Sequence, residues 1–323
     1  MNILVLGAGT FGTAIANELS VNTENNVILF SRSQQKVEEI NTFQTNKIFF
    51  PNKQLNNNVK ATNRKKDIKE TDIIFIALPS SVIKQFFSDI KEYLPNNVLI
   101  VNLSKGIFKR GRTIIDYLKD SLDRNNIVTL KGASFAVELM EHADTLLTLG
   151  YTTQKQYKTI SNIITNTNIH IDSTTDIQGV ELLSVLKNIY ALLIGVIDAK
   201  YNSPNTRFMF LTKAFSEIRI LLKALGGKED TLFCACGFGD LCLTSLNDLS
   251  RNRTLGLLIG KGFFSSGQKQ NAVILEGLDA LNMIHDLQEE EIQLELPLLN
   301  KLYNFFKSNQ RNMNIDFREL IDR

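Results

Sequence analysis

The chain has 323 residues, about twice the ~150 usual for one domain, so two domains are expected. Hydrophobic residues make up 43% and charged residues 22%, enough apolar mass for sizeable cores, which excludes a largely disordered chain. Lys+Arg 36 against Asp+Glu 34 leaves a formal charge of +2, which offers no general field for nucleic acid or anionic membrane and makes any anion site local.

In chain order, Asn2–Leu6 reads as a strand and Thr10–Val21 as a helix with Phe11, Ile15 and Leu19 four apart. Val27–Phe30 is a second strand, and Gln34–Ile40 a helix. Asp72–Leu78 is a continuous apolar strand stopped by Pro79, and Ser80–Ile90 forms the next helix. Val98–Leu103 and Ile127–Leu130 follow as strands, with Thr113–Leu122 helical between them. Strands that are continuously apolar are buried on both faces, as in a parallel sheet covered by helices. This predicts a doubly wound, Rossmann-like α/β domain over residues 1–177. The Asn- and Lys-rich stretch Gln44–Lys66 reads as a surface loop or a lid, and the sequence does not decide between them. Beyond about Ile177 long helices take over, at Ile177–Ala199, Thr206–Leu225, Asn252–Gly260, Glu276–Asp286 and Leu298–Phe306. An all-α domain over residues 178–323 is therefore expected, with the boundary between Ser173 and Gly179.

Met1–Leu6 runs straight into Gly7 without a basic leader, and the longest apolar run, Ile189–Ile197, is short of the ~20 residues that span a bilayer. Cys234, Cys236 and Cys242 are odd in number and lack zinc-knuckle spacing, so they read as small free thiols. A soluble, cytoplasmic protein with no membrane span and no metal is the expectation, its oligomeric state open and a homodimer compatible.

Gly7-Ala8-Gly9-Thr10-Phe11-Gly12 is G-x-G-x-x-G between a strand and a helix. Gly7 permits a tight turn, Gly9 lets the backbone approach a pyrophosphate, and Gly12 allows close helix–strand packing, while the helix N-terminus offers free N–H groups. Dinucleotide binding follows. The second strand ends Phe30-Ser31-Arg32, without the carboxylate that holds a ribose 2′-hydroxyl; Arg32 can instead pair with a 2′-phosphate, so NADP and NAD both stay open.

In the helical half, Val180, Leu183, Lys187, Tyr190, Ala191 and Ile194 share one face of a nearly all-apolar helix. A buried ammonium is costly and titrates nearer neutrality, as a general acid–base requires. Snorkelling to the surface is the competing reading, and the helix alone does not decide. Gly237-Phe238-Gly239-Asp240 sets a carboxylate among tight glycine turns, a partner for a buried cation or an ordinary turn aspartate. Ser250-Arg251-Asn252-Arg253 precedes the apolar helix Thr254–Ile259, a local phosphate site or an ordinary capped basic helix start.

At this point the motifs carry a resemblance. G-A-G-T-F-G-T-A-I-A, N-L-S-K-G-I, G-A-S-F-A, L-K-N-I-Y-A, G-F-G-D-L-C-L-T, S-R-N-R and L-E-G follow the order and approximate spacing of NAD(P)-dependent glycerol-3-phosphate dehydrogenases. From Asn2 to about Gly277 the chain resembles the bacterial form of that family. The resemblance implies reversible reduction of dihydroxyacetone phosphate to sn-glycerol 3-phosphate, the backbone for phospholipid synthesis. It implies Lys187 as the proton donor and acceptor, with Asp240 beside it. Lys105 is implied to contact both substrate and cofactor. Gly132, Ser134, Lys187, Asp240, Ser250, Arg251 and Asn252 are implied for the substrate, and Ala136, Arg251, Ile274 and Glu276 for the cofactor. Asn188 and Thr244 fall in matching motifs. Phe11 stands where the family often has tryptophan, and Ala133 replaces the usual proline ahead of Ser134.

Overall fold

The computed structural model describes residues 1–108, 111–123, 126–263, 275–290, 295–308, 313–316 and 320–321, with 275–276 and 288–290 as backbone. The chain divides into two compact units, Met1–Lys105 with Ile114–Ile177, and Gly106–Thr113 with Gln178–Arg323. Residues 106–113 thus group apart from the 1–177 segment in which the sequence reading placed them. The physical reason is Ile107, which bridges to Thr113 and is 4% exposed within the helical core.

The first unit is built on eight strands, β1 (Asn2–Leu6), β2 (Asn26–Phe30), β3 (Val59–Thr62), β4 (Ile73–Ile76), β5 (Leu99–Asn102), β6 (Ile127–Gly132), β7 (Thr145–Gly150) and β8 (Ile169–Thr174). Their order is β3-β2-β1-β4-β5-β6-β7-β8. Helices α1 (Thr10–Leu19), α2 (Gln34–Phe43), α3 (Ser80–Ile90), α4 (Ile114–Leu122), α5 (Ala136–Leu139) and α6 (Gln154–Ile163) connect them. β1, β4 and β5 bury their apolar runs almost completely, as their unbroken hydrophobicity requires. The strand order reverses between β1 and β4, which opens a crevice at their carboxyl ends.

Two features of the sheet differ from the sequence reading. The stretch Gln44–Lys66 is not merely loop, because it contributes β3, which pairs parallel with β2 at the sheet edge. Val-Lys-Ala-Thr is too short and too polar to register as a buried strand. Its flanking asparagines are also fixed to the fold: Asn46 is fully buried and donates to Thr13 Oγ1 at 2.9 Å, and Asn17 Oδ1 accepts from the Asn56 N–H at 2.7 Å. The second difference is β7, which runs antiparallel to β6. The link between them holds only the single turn of α5, and no full crossover helix returns the chain to the other end of the sheet.

The second unit is helical among the described residues: α7 (Ile177–Tyr201), α8 (Pro204–Ala224), α9 (Asp240–Leu246), α10 (Arg251–Gly260), α11 (Leu275–Glu290) and α12 (Pro297–Lys307). By length and composition α7 is apolar enough to cross a membrane, but its apolar window is 100% buried inside the protein. It is the central helix of a core. Helices α7 and α10 approach closely through glycines: a Cβ on Gly256 would lie 2.0 Å from the Leu192 carbonyl oxygen, and one on Gly195 2.3 Å from that of Arg253. Ser203 caps α8, accepting from the Thr206 N–H at 3.4 Å, and Pro204 fits the first turn, where its missing N–H costs nothing.

Candidate active site

The glycine-rich turn leaves β1 with Gly7 at φ +111°, a backbone conformation that L side chains rarely adopt. A Cβ there would sit 2.5 Å from the Ala77 carbonyl oxygen, and one on Gly12 would sit 2.0 Å from that of Gly7. Gly9, the residue before α1, has nothing within 4 Å of its Cβ position. The first and third glycines therefore serve the turn itself, while the second leaves room for an incoming group. Beside this turn opens a cavity of about 670 Å³ whose lining includes Gly7, Gly9, Arg32, Lys36, Phe49 and Phe86. Thr10 is exposed on the first turn of α1, Phe11 is half-buried, and neither is in the lining.

Arg32 is exposed at the end of β2 and makes no ion pair among the described residues. Ser31 Oγ accepts from the Ser33 N–H at 3.2 Å, and Ser33 caps α2, so this rim offers hydroxyls and cations. Lys36 Nζ lies 4.6 Å from the centre of the Phe49 ring. Phe49, Asn63 and Lys65 all come from the polar stretch 44–66, which is thus a wall of the cavity. Composition hid this role, because isolated aromatic and basic residues in an Asn-rich stretch carry no periodicity.

Lys105 follows β5 and is half-buried. The serine before it is anchored on both sides: Ser104 Oγ donates to the Leu78 carbonyl oxygen at 2.6 Å and its N–H donates to Asn102 Oδ1 at 3.0 Å. The ammonium of Lys131, a buried residue of β6, also donates to the Ser104 carbonyl oxygen. Lys131 is a functional-looking residue the sequence reading passed over, although a lysine inside Thr-Leu-Lys-Gly is its signal. Gly132 ends β6, Ser134 Oγ donates weakly to its carbonyl at 3.4 Å, and Ala136 opens α5.

In the second unit, Lys187 does not snorkel. Its side chain is 5% exposed and its ammonium pairs with Asp240 Oδ1, whose side chain is 1% exposed. Lys187 Nζ also donates to Thr244 Oγ1 at 2.9 Å, and Thr244 Oγ1 lies 3.2 Å from Asp240 Oδ1. Asp240 opens α9, so Asp240 and Thr244 stand one turn apart on the helix face that meets Lys187. Asp240 Oδ2 is buried and has no hydrogen-bond partner among the described residues. A buried carboxylate oxygen left unpaired is costly, and a ligand hydroxyl would satisfy it. Asn188 donates to the Ser184 carbonyl at 3.3 Å.

Of the Ser-Arg-Asn-Arg segment, Arg251, Asn252 and Arg253 form the first turn of α10 rather than preceding it. Ser250 is the cap of α10, accepting from the Arg253 N–H at 3.3 Å, and Arg251 is the first helical residue. Arg251 is exposed and makes no ion pair among the described residues. Asn252 packs against Gly277, where a Cβ would lie 2.9 Å from Asn252 Oδ1. Arg253 is buried and fully engaged, a difference that residue type alone did not reveal. Ile274 lies outside the described residues, and for Glu276 only the backbone, in α11, is described.

The family model for the NAD-dependent glycerol-3-phosphate dehydrogenase N-terminus matches residues 2–157, and that for the C-terminus matches residues 176–315. The chain is 33% identical over 326 residues to a glycerol-3-phosphate dehydrogenase [NAD(P)+] of Methanothermobacter thermautotrophicus, covering 100% of this chain and 98% of that one. It superposes on the crystal structure of glycerol-3-phosphate dehydrogenase from Coxiella burnetii with a TM-score of 0.83 at 26% identity, over 94% of each chain. It shares its fold with the Saccharomyces cerevisiae enzyme, with a TM-score of 0.85 at 20% identity over 96% of each chain. With both halves matched and the glycine turn, buried lysine and capped arginine segment in place, the chain belongs to the NAD-dependent glycerol-3-phosphate dehydrogenase family.

Proposed function

We propose that the protein catalyses the reversible NAD(P)H-dependent reduction of dihydroxyacetone phosphate to sn-glycerol 3-phosphate, a product that supplies the backbone of phospholipids. The observation that carries this reading is the buried Lys187–Asp240–Thr244 cluster, with one carboxylate oxygen left over. The chemistry a bound reduced nicotinamide would supply is a hydride for the C2 carbonyl carbon. Lys187 Nζ donates the proton that the C2 oxygen takes up as its negative charge develops, and in the oxidative direction it accepts that proton back. Asp240 Oδ1 and Thr244 Oγ1 hold the ammonium in place, which leaves Asp240 Oδ2 to accept a hydrogen bond from a substrate hydroxyl.

Arg251 and Asn252, at the capped start of α10, hold the substrate phosphate by charge-assisted hydrogen bonds and the helix N-terminus. Phosphate binding remote from the reacting carbon then positions the carbonyl. Lys105 supplies a second ammonium to substrate and cofactor, and Gly132 and Ser134 contact the substrate. The open space at Gly9 and the cavity beside it, lined in part by Gly7, fit a dinucleotide pyrophosphate. Thr10, Phe11, Gly12 and Ala136, outside that lining, complete the cofactor contacts of this reading. Unpaired Arg32 accommodates a 2′-phosphate without excluding a free 2′-hydroxyl. The three cysteines are free thiols, which suits work in the reducing cytoplasm.

Initial rates of NADH and NADPH oxidation test the reading directly. Dihydroxyacetone phosphate is expected to react far faster than unphosphorylated dihydroxyacetone with either nucleotide, and equal rates for the two ketones would refute the phosphate assignment. In the same assay Arg32→Ala is expected to raise the KM for NADPH and leave that for NADH nearly unchanged.

A further inference from the structure

Arg253 has no part in the mechanism above, yet two carboxylates and a backbone carbonyl hold it. Its side chain is 8% exposed. Nη1 donates to Asp198 Oδ2 and to the Ser245 carbonyl oxygen at 3.0 Å, and Nε donates to Asp248 Oδ1 at 3.0 Å. Asp198 is itself 4% exposed and accepts a second arginine, Arg207 Nε, at 2.5 Å. These partners lie on different segments: Asp198 on α7, Ser245 in the last turn of α9, and Asp248 in the link to α10.

Two consequences follow for the residues around it. Lys187 and Asp198 are 11 positions apart on α7, about three helical turns, so one face of that helix carries both. Lys187 on that face pairs with Asp240 at the start of α9, and Asp198 pairs with the third residue of α10. The second consequence concerns charge. Asp248 is 82% exposed and lies three residues before Arg251 in the chain. Arg253 holds that carboxylate, which leaves the Arg251 guanidinium available to an anion.

We infer that Arg253 is a positioning residue for substrate binding: it pins the start of α10 to the helix bearing Lys187 and keeps Asp248 from neutralising Arg251. Stability alone gives no reason for the arrangement, because a buried ion pair is often matched or bettered by apolar side chains of similar size. The inference rests on the assignment of the substrate phosphate to Arg251 and Asn252.

The test compares Arg253→Lys, Arg253→Met and Arg251→Ala, measuring KM and kcat for dihydroxyacetone phosphate, kcat/KM for dihydroxyacetone, the Kd for NADPH, and Tm. Arg253→Met is expected to raise the KM for the phosphorylated ketone by about tenfold or more, the scale of effect produced by small misplacements of a binding group. Its kcat should fall less, and kcat/KM for dihydroxyacetone and the Kd for NADPH should stay near wild type. Asp248→Asn in the Arg253→Met background is expected to recover part of the lost affinity. Arg253→Lys, which keeps the charge but not the fork, should fall between, and it decides the matter if the methionine variant does not fold. A folded Arg253 variant with an unchanged KM for the phosphorylated ketone, or with equal losses on both ketones, overturns the inference. If Arg251→Ala also leaves that KM unchanged, the phosphate assignment fails as well; if Arg251→Ala raises it, only the role of Arg253 is lost.

Discussion

At the scale of single residues, Lys187 shows how burial turns an ordinary side chain into a chemical one. An ammonium on the core face of a helix is tolerated only with a paired charge, and Asp240 provides it. Thr244 adds a second acceptor, so the Nζ is aimed rather than free to rotate. Lys187→Met is expected to retain the fold and cofactor binding, since methionine fills similar volume, while turnover falls by ~10²–10⁴, the usual loss for a positioned acid–base group. Steady-state rates, with nucleotide binding followed by fluorescence, check this. Near-normal turnover with an unchanged pH profile would move proton transfer to Lys105. The sequence placed Lys187 on an apolar helix face because its neighbours are apolar at helical spacing, and the structure shows it buried and paired. It left Asp240 open between cation partner and turn residue, because nothing local says what a turn aspartate faces.

At the scale of elements, the strand–turn–helix that begins the chain separates two glycines needed by the fold from one that faces open space. Gly12→Ala drives a Cβ into the Gly7 carbonyl oxygen, a backbone clash that no rotamer relieves, and is expected to destabilise the first unit by about 1–3 kcal/mol. Gly9→Ala meets nothing within 4 Å and its φ of −89° suits alanine, so Tm should hardly change. If the pyrophosphate binds over Gly9 as proposed, the added methyl is expected to raise the KM for both nucleotides. Chemical denaturation paired with nucleotide titration separates the two outcomes; a Gly9→Ala variant with wild-type affinity would place the pyrophosphate elsewhere. The same element scale shows where pattern reading stops. β1 and β4 are legible as unbroken apolar runs, whereas β8 is half-exposed along its length and mixes His170, Asp172 and Ser173 into the strand. An edge strand needs no uniform hydrophobicity, so it leaves no clear trace.

At the scale of the whole molecule, each unit has its own hydrophobic core, and the helical one carries a pH-sensitive joint. Glu217 on α8 is buried and accepts the backbone N–H groups of Leu298 at 2.6 Å and Leu299 at 3.1 Å, so it caps α12 from another helix. Tyr190 of α7 donates its hydroxyl to the same carboxylate at 2.9 Å. Burial pushes the Glu217 carboxyl up from 4.5 to about 7, against the opposing effect of these hydrogen bonds. A carboxyl whose pKa is higher folded than unfolded binds its proton more tightly in the folded state. Its contribution is therefore full at low pH and declines as pH rises from 4.5 toward 7. Since one pKa unit corresponds to about 1.4 kcal/mol, the full loss is on the order of 3 kcal/mol. Glu217→Gln mimics the protonated form, so its unfolding free energy should decline less than that of the wild type between about pH 5 and pH 7.5. Parallel declines in urea titrations of the two proteins would assign the pH dependence to other groups.

What the amino-acid sequence determined by itself are the patterns contained within some twenty residues. These are the glycine turn between strand and helix, the inner parallel strands, the change to long helices near Ile177, and a lysine on an apolar face. Each depends on local geometry and on which face of its own element a residue occupies. Only the tertiary structure decided the pairings across long separations. Lys187 meets Asp240 across 53 positions and Arg253 meets Asp198 across 55. It also decided the reversed direction of β7, the place of Phe49 in a cavity wall, and the cap that Glu217 lends to α12. Periodicity reports that a side chain is buried; what it is buried against depends on how distant segments close together, and that is set by the packing of the whole core.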